Sequence, residues 1–303
     1  MEDPKKKSLK EHVQAIQKRY RELDAKEGFQ NEKELEAYIL FRTPATQAVL
    51  KKVCAHLKGK IFKTALELGS GPGSSHPVLK DLFIEKIVYI EKEAGFRRDL
   101  EDVTWIVRNF LEEFPYPEAD LVLFSYSLGE LGFEQQLDVL KRAIVSSQDT
   151  IVIVEPGTTH GYETLMRARD YLIGNNFFIH APCFHTQLCP KRGSGWCHFS
   201  ARVERSRIHR QIKGGTLGYE DEKYCFIIAS KHSEKNNFFT ILDTPKIEKH
   251  RLRLNLCTPQ GQKIFECKAN NRELFKTLKK KGWGEMVSSA ILSGVDDYKN
   301  DQV

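Results

Sequence analysis

Thr64-Ala65-Leu66-Glu67-Leu68-Gly69-Ser70-Gly71-Pro72-Gly73 is the stretch on which the fold turns. Residues 64–68 read as a short buried strand, and residues 69–73 as the loop that ends it. A helix is expected to start between Ser74 and Pro77, because proline suits the first helical turn. The same texture repeats outward. Residues 87–91, 104–107, 120–124 and 150–154 predict four further strands, and helical patterns fall near 133–145 and 161–174. Alternating strand and helix signals predict an α/β fold with a largely parallel, doubly wound sheet. Residues 177–180 and 224–228 are candidate sixth and seventh strands.

The loop carries chemistry as well as topology. Glu67, Gly69, Gly71 and Gly73 fit the acidic-x-G-x-G-x-G pattern of S-adenosylmethionine-dependent methyltransferases. Glycines let the backbone pass close beneath a ligand and adopt positive φ. The loop sits at the carboxyl end of a parallel strand, where open α/β sheets bind ligands. A dinucleotide dehydrogenase would need glycine at position 74, which is serine here. Glu91 ends the second strand about 20 residues on, where a carboxylate can accept from a ribose hydroxyl. Glu67, Gly69, Ser70, Gly71, Gly73 and Glu91 are therefore the expected cofactor-binding residues. Amino-methylating enzymes carry an (Asn/Asp)-Pro-Pro-aromatic element after strand four. Here that place reads Ser125-Tyr126-Ser127-Leu128-Gly129-Glu130, and no residue reads as a catalytic base.

Three of the seven cysteines crowd one stretch: Cys183, Cys189 and Cys197, in a C-x5-C-x7-C pattern. Backbone packing does not call for thiols at that density; a soft metal does. Cys189-Pro190 is similar to the Cys-Pro ending of bacterial iron–sulfur runs. A four-thiolate set would be completed by Cys225, Cys257 or Cys267. Cys225 alternates within an apolar strand, whereas Cys257 ends a strand before a turn and is better placed. Zinc is the rival metal, with His185 or His198 completing Cys3His. The absence of close C-x2–4-C pairs favours iron–sulfur.

At 303 residues, 40% hydrophobic and 29% charged, the chain has the composition of a soluble globular protein. No apolar run reaches the roughly 20 residues that span a bilayer. The start, Met1 to Lys7, lacks the apolar stretch of a secretory signal and the arginines of a transit peptide. A bacterial cytoplasmic setting is expected, with the mitochondrial matrix as the alternative. Net charge is +6. Basic residues cluster in the second half: Lys191, Arg192, Arg202, Arg205, Arg207, Arg210 and Lys213; Lys246, Lys249, Arg251 and Arg253; Lys276, Lys279, Lys280 and Lys281. Such clusters point to a polyanion such as RNA. Arg202, Arg205, Arg207 and Arg210, just beyond Cys197, are the expected phosphate contacts.

Three parts are expected. Residues 1–60 are helical, with 5–27 charged and 32–58 a pair of amphipathic segments broken at Thr43-Pro44. Residues 61–232 form the α/β domain, with a metal-binding insertion at 181–215. Residues 233–303 add a β-hairpin, around the turn at 258–261, and a basic helix near 271–281.

Further motifs are Arg42-Thr43-Pro44-Ala45-Thr46, Ser127-Leu128-Gly129-Glu130-Leu131 and Glu155-Pro156-Gly157-Thr158. Others are Ala181-Pro182-Cys183, Trp196-Cys197-His198-Phe199-Ser200, Tyr219-Glu220-Asp221-Glu222-Lys223 and Trp283-Gly284. With the glycine loop, they make the chain resemble the methyltransferase-like family of the mitochondrial small ribosomal subunit (Rsm-twenty-two type), which has bacterial relatives. The resemblance runs from Tyr38 to about Trp283. It implies a class I S-adenosylmethionine-dependent methyltransferase fold, of Rossmann-like type, that binds S-adenosylmethionine. It implies a 4Fe–4S cluster on Cys183, Cys189, Cys197 and Cys257, and association with small-subunit rRNA during ribosome assembly; when free, the chain is expected to be a monomer.

Overall fold

Ala65, Leu66, Glu67 and Leu68 are all buried, because β1 (Thr64–Leu68) runs between two other strands. β2 (Lys86–Glu91) pairs with it on one side and β4 (Ala119–Ser125) on the other, both parallel. β3 (Val103–Val107) extends the sheet beyond β2, again parallel. The order β3-β2-β1-β4 reverses direction between β1 and β4. That reversal is the switch point at which open α/β sheets leave a ligand crevice. The helix His76–Asp81 follows the glycine loop with Pro77 in its first turn, as the sequence predicts.

The computed structural model describes residues 11–14, 29, 31–207, 210, 217–233, 237–292 and 298–299. The chain divides into two compact units, Met1–Gln148 with Ala201–Glu222, and Asp149–Ser200 with Lys223–Val303. The first unit holds β1–β4 and the helix Glu32–Cys54. The expected break at Pro44 is corrected here: this is one helix with Pro44 inside it. Its buried residues Ala37, Phe41, Ala45, Val49 and Val53 recur every four positions. That unbroken apolar stripe offsets the roughly 3 kcal/mol penalty of an interior proline.

The second unit holds most of β5 (Ser147–Pro156) and β8 (Tyr219–Ser230), together with β6 (Phe178–Ala181). β8 lies between β5 and β6 and is antiparallel to both. The helix Thr159–Gly174 connects β5 to β6. β7 (Phe199–Glu204), inside the expected insertion, pairs with β8. Orders of 3-2-1-4 in one unit and 5-8-6 with a reversed β8 in the other make this a class I methyltransferase fold of Rossmann-like type.

A separate antiparallel sheet forms the rest of the second unit, and it is larger than the expected hairpin. β11 (Arg251–Thr258) and β12 (Gly261–Lys268) pair from Arg251↔Lys268 to Thr258↔Gly261. β9 (Phe238–Ile241) and β10 (Lys246–Ile247) join β11, and β13 (Met286–Ser288) joins β9. Leu252, Leu254, Leu256, Phe265 and Cys267 pack into one core. The helix Arg272–Leu278 falls within the expected 271–281. Among the described residues, no helix is long and apolar enough to cross a membrane. Most of the helical reading at 5–27, Lys213, and residues 293–297 and 300–303 lie outside the described residues.

Candidate functional site

The glycine loop leaves β1 with left-handed backbone at Gly69 (φ 73°), Gly71 (φ 53°) and Gly73 (φ 73°). A Cβ on Gly69 would sit 2.6 Å from the Cβ of Ser127, so that glycine is fixed by the fold itself. A Cβ on Gly71 would meet nothing within 4 Å, and open space lies above it. Glu91 pins the loop from the end of β2. One carboxylate oxygen accepts from the Gly71 N–H at 2.8 Å, the other from the Glu93 N–H at 3.0 Å. The Lys92 N–H also approaches the carboxylate, which keeps lone-pair capacity for a further donor. Ser70 is buried and donates its N–H to the Ile90 carbonyl.

Glu67 lies elsewhere. It is 1% exposed and accepts a very short hydrogen bond from Ser75, whose hydroxyl also contacts the Tyr89 hydroxyl at 2.9 Å. Burial pushes its pKa from 4.5 up to about 8, against the opposing effect of the Ser75 bond. The native state then binds more protons than the unfolded chain between those values. Stability falls as pH rises through that window, and the burial penalty is fully felt above it. Glu67→Gln should flatten this slope and be more stable than wild type at pH 9, by roughly 3–5 kcal/mol. Denaturant unfolding across pH measures it, and a wild-type stability level from pH 5 to 8 would mean that Glu67 is ionised in the fold.

The segment after β4 closes onto the same loop. The Ser127 hydroxyl donates to the Leu68 carbonyl at 2.6 Å. Tyr126 takes a positive φ of 63°, an arrangement that a bulky residue holds only when its surroundings enforce it. The guanidinium of Arg42 lies 5.3 Å from the Tyr126 ring centre and is paired with Glu222 at 3.0 Å. Ser74 bonds Thr43 at 3.2 Å. Three of the sequence motifs thus meet around the expected cofactor loop.

In the second unit, Cys183, Cys189, Cys197 and Cys257 line one small cavity with Phe199 and Thr240. Cys183 follows β6, and Cys257 comes from β11. Thr240, opposite Cys257 in the β9–β11 pairing, hydrogen-bonds the Pro182 carbonyl and so ties that sheet to the cysteine loop. Cys183, His185 and Cys257 hold their ligand atoms within 4.8 Å of one another. His185 Nε2 lies 3.4 Å from the Cys257 sulfur. The Cys183 thiol is hydrogen-bonded to Cys189, which lowers its pKa, and to Cys257, which together with burial raises it to about 12. Burial holds the Cys197 thiol high as well. Such thiols give up protons only to a strong Lewis acid, which is how metal binding acts on thiols.

Two side chains with no sequence motif complete this site. Arg169 is 2% exposed, and its guanidinium donates to the carbonyls of His185 at 2.9 Å and Gln187 at 2.7 Å. It fixes the loop and places a positive charge beside thiolates, whose negative excess around a metal needs one. The Tyr162 hydroxyl donates to the Cys189 sulfur at 3.3 Å. Both stand on the buried face of the helix Thr159–Gly174. The polar pair seven residues apart on an apolar stripe was the signal for them. The donor set, its burial and the adjacent guanidinium fit a thiolate-bound metal. Neither of the two other candidate thiols lines the cavity: Cys225, near enough to act on the Cys197 thiol, donates to the Pro156 carbonyl at 3.1 Å, and Cys267 belongs to the core of the small sheet.

Of the four expected phosphate contacts, two are engaged. Arg202 pairs with Asp221 at 3.1 Å and lies 3.9 Å over the Tyr219 ring. Arg205 pairs with Glu220 at 2.9 Å. Arg207 and Arg210 are exposed.

The model of one sequence family, described as mitochondrial small ribosomal subunit Rsm22, matches residues 32–288. The human protein called ribosome assembly protein METTL17, mitochondrial, is 25% identical over 195 residues, or 59% of this chain. The chain spans 42% of that relative's length. Similar solved structures include a magnesium protoporphyrin IX methyltransferase from Synechocystis PCC 6803 with bound SAM (10% identity, TM-score 0.41, covering 76% of this chain and 99% of that one). Another is the N-methyltransferase NodS from Bradyrhizobium japonicum with S-adenosyl-l-homocysteine (10%, TM-score 0.40, 61% and 85%). These low scores carry no weight beside the strand order.

Proposed function

The chain belongs to the mitochondrial small ribosomal subunit Rsm22 family, and from that membership we propose that it is a methyltransferase-like factor of small-subunit ribosome assembly, with an S-adenosylmethionine site on the glycine loop and a 4Fe–4S cluster on Cys183, Cys189, Cys197 and Cys257. The observation that carries the reading is the convergence of Cys257, from a separate sheet, on the three loop cysteines. When bound, S-adenosylmethionine supplies an activated methyl group, and an iron–sulfur cluster supplies one-electron chemistry and a covalent staple. The protein's own contributions are distinct. Gly69, Ser70, Gly71 and Gly73 shape the loop, Glu91 holds it and offers its remaining lone pairs to ribose hydroxyls, and Glu67 acts from beneath through Ser75. Arg169 and Tyr162 hold the cysteine loop.

A reading without methyl transfer draws on one observation. The place after β4 where amino-methylating enzymes present an aromatic face to their substrate holds Tyr126, covered by this chain's own Arg42. The protein is then an RNA-binding assembly factor whose two cofactor sites shape its surface.

Anaerobically purified protein, titrated with small-subunit rRNA at several salt concentrations and then given labelled S-adenosylmethionine, separates these readings. Binding that falls steeply with salt is expected; no binding would end the ribosomal proposal. Labelled rRNA identifies an enzyme, and bound but unlabelled rRNA identifies a factor. Arg207→Ala with Arg210→Ala should weaken binding across sequences and make the salt slope shallower by roughly 0.7–0.9 per lost contact. An unchanged slope would move the phosphate contacts elsewhere.

A further inference from the structure

The helix Thr159–Gly174 has a second role, at the edge of its buried face, where Tyr162 and Met166 adjoin the exposed Glu163. Tyr162, Glu163, Met166 and Arg167 lie on one face and form one wall of a cleft of about 400 Å³. Arg192 and Trp196, from the loop between Cys189 and Cys197, form the other wall. Trp196 is 39% exposed, yet its ring is fixed. Its Nε1–H donates to the Gly157 carbonyl at 3.1 Å, and its ring stacks on His198 at 5.4 Å with 20° between the planes. His198 is braced in turn by the edge of Trp283 at 5.0 Å.

An indole held this firmly at the surface is a platform. Packing gains nothing from exposing it, whereas a planar ligand gains from a surface already ordered. The polar lining says which planar ligand. Glu163 accepts hydrogen bonds, and Arg167 and Arg192 donate them. Arg192 is paired with Asp170 at 2.6 Å, and Arg167 donates to the Thr164 hydroxyl at 3.1 Å. With both signs of charge present, the cleft does not select an anion as such. It suits a ring with an apolar face and an edge that mixes donors and acceptors, and its volume is in the range of small-ligand sites. We propose that this cleft takes one unpaired nucleobase, stacked on Trp196 with its edge toward Glu163 and the two arginines. The proposal rests on the RNA reading above and places one contact within it. Because Tyr162 both lines the cleft and bonds Cys189, the base would lie beside the thiol site.

The test uses the metal-loaded 303-residue chain and three labelled or titrated probes: an unpaired oligoribonucleotide, the same sequence in a duplex, and nucleoside monophosphates. Trp196→Ala should weaken the unpaired probe about 5- to 150-fold, since one stacked base is worth roughly 1–3 kcal/mol. Trp196→Phe should retain most of the affinity. The salt slope and duplex binding should stay at wild-type values, because no phosphate contact is lost. Thr159→Trp, which fills the cleft from an exposed position, should give the same loss even if Trp196→Ala disturbs the metal. Wild-type affinity in both Trp196→Ala and Thr159→Trp overturns the proposal, as does an equal loss on duplex. If no RNA binds but monophosphates bind and are lost with Trp196→Ala, the base site stands and the RNA reading falls. If neither binds, the base site falls as well.

Discussion

Cys257→Ser in anaerobically purified protein is expected to lose its iron and its visible absorption together, and to unfold far more readily than wild type. A serine hydroxyl does not ionise near neutral pH and cannot replace a thiolate. The loss should be large, because a structural metal's binding energy is also folding energy, on the order of 10 kcal/mol where it has been measured for zinc. Here the metal would tie the loop after β6 to a residue of β11. Cys225→Ser and Cys267→Ser are the controls. The Cys225 thiol is turned to the Pro156 carbonyl, and Cys267 packs with Leu252, Leu254 and Phe265, so both variants should load fully. Metal content, acid-labile sulfide and the absorption spectrum measure the outcome. A full load in Cys257→Ser, or its loss in Cys225→Ser, overturns the ligand set. Stoichiometric zinc in place of iron keeps the ligands and changes the metal.

The second large effect is expected at Gly71. Valine there must hold a φ near 53°, which strains a β-branched residue by about 1–2 kcal/mol. Its side chain meets no protein atom on leaving the backbone, so the fold should survive. The methyl groups instead enter the space assigned to the cofactor. Affinity for S-adenosylmethionine should fall at least about 100-fold, or roughly 2.7 kcal/mol. Gly69→Ala is the contrast. Its added Cβ collides with Ser127 and should destabilise the fold before it affects binding. Calorimetry with S-adenosylmethionine, alongside thermal unfolding, distinguishes the two. Unchanged affinity in Gly71→Val would remove the cofactor from this loop.

The parts of the fold that can be read from sequence are those written locally. β1, β2, β4 and β5 are apolar runs bounded by turn residues, and the glycine loop announces the switch point. Pro44 misleads because a local rule meets a long buried stripe, and the stripe prevails. β9 and β13 are short, and they pair with each other across about fifty residues of chain, so neither carries its own signal. The fourth cysteine shows the same limit. Spacing groups Cys183, Cys189 and Cys197, but only the pairing of β9 with β11 brings Cys257 to them. Glu67 reads as a ligand-facing acid because it belongs to the motif; its burial against Ser75 depends on packing that no motif encodes.

The placement of the fourth thiol has a consequence for synthesis. Cys257 is made about sixty residues after Cys197. At roughly 5–20 residues per second, the growing chain spends some seconds with three exposed thiols and no fourth. A metal held by all four thiols could not be fully ligated until β11 has left the ribosome and paired. On the proposed cluster reading, the order of emergence would make metal capture a late step in the protein's biogenesis. Chains truncated before residue 257 should be cleared as unfinished product.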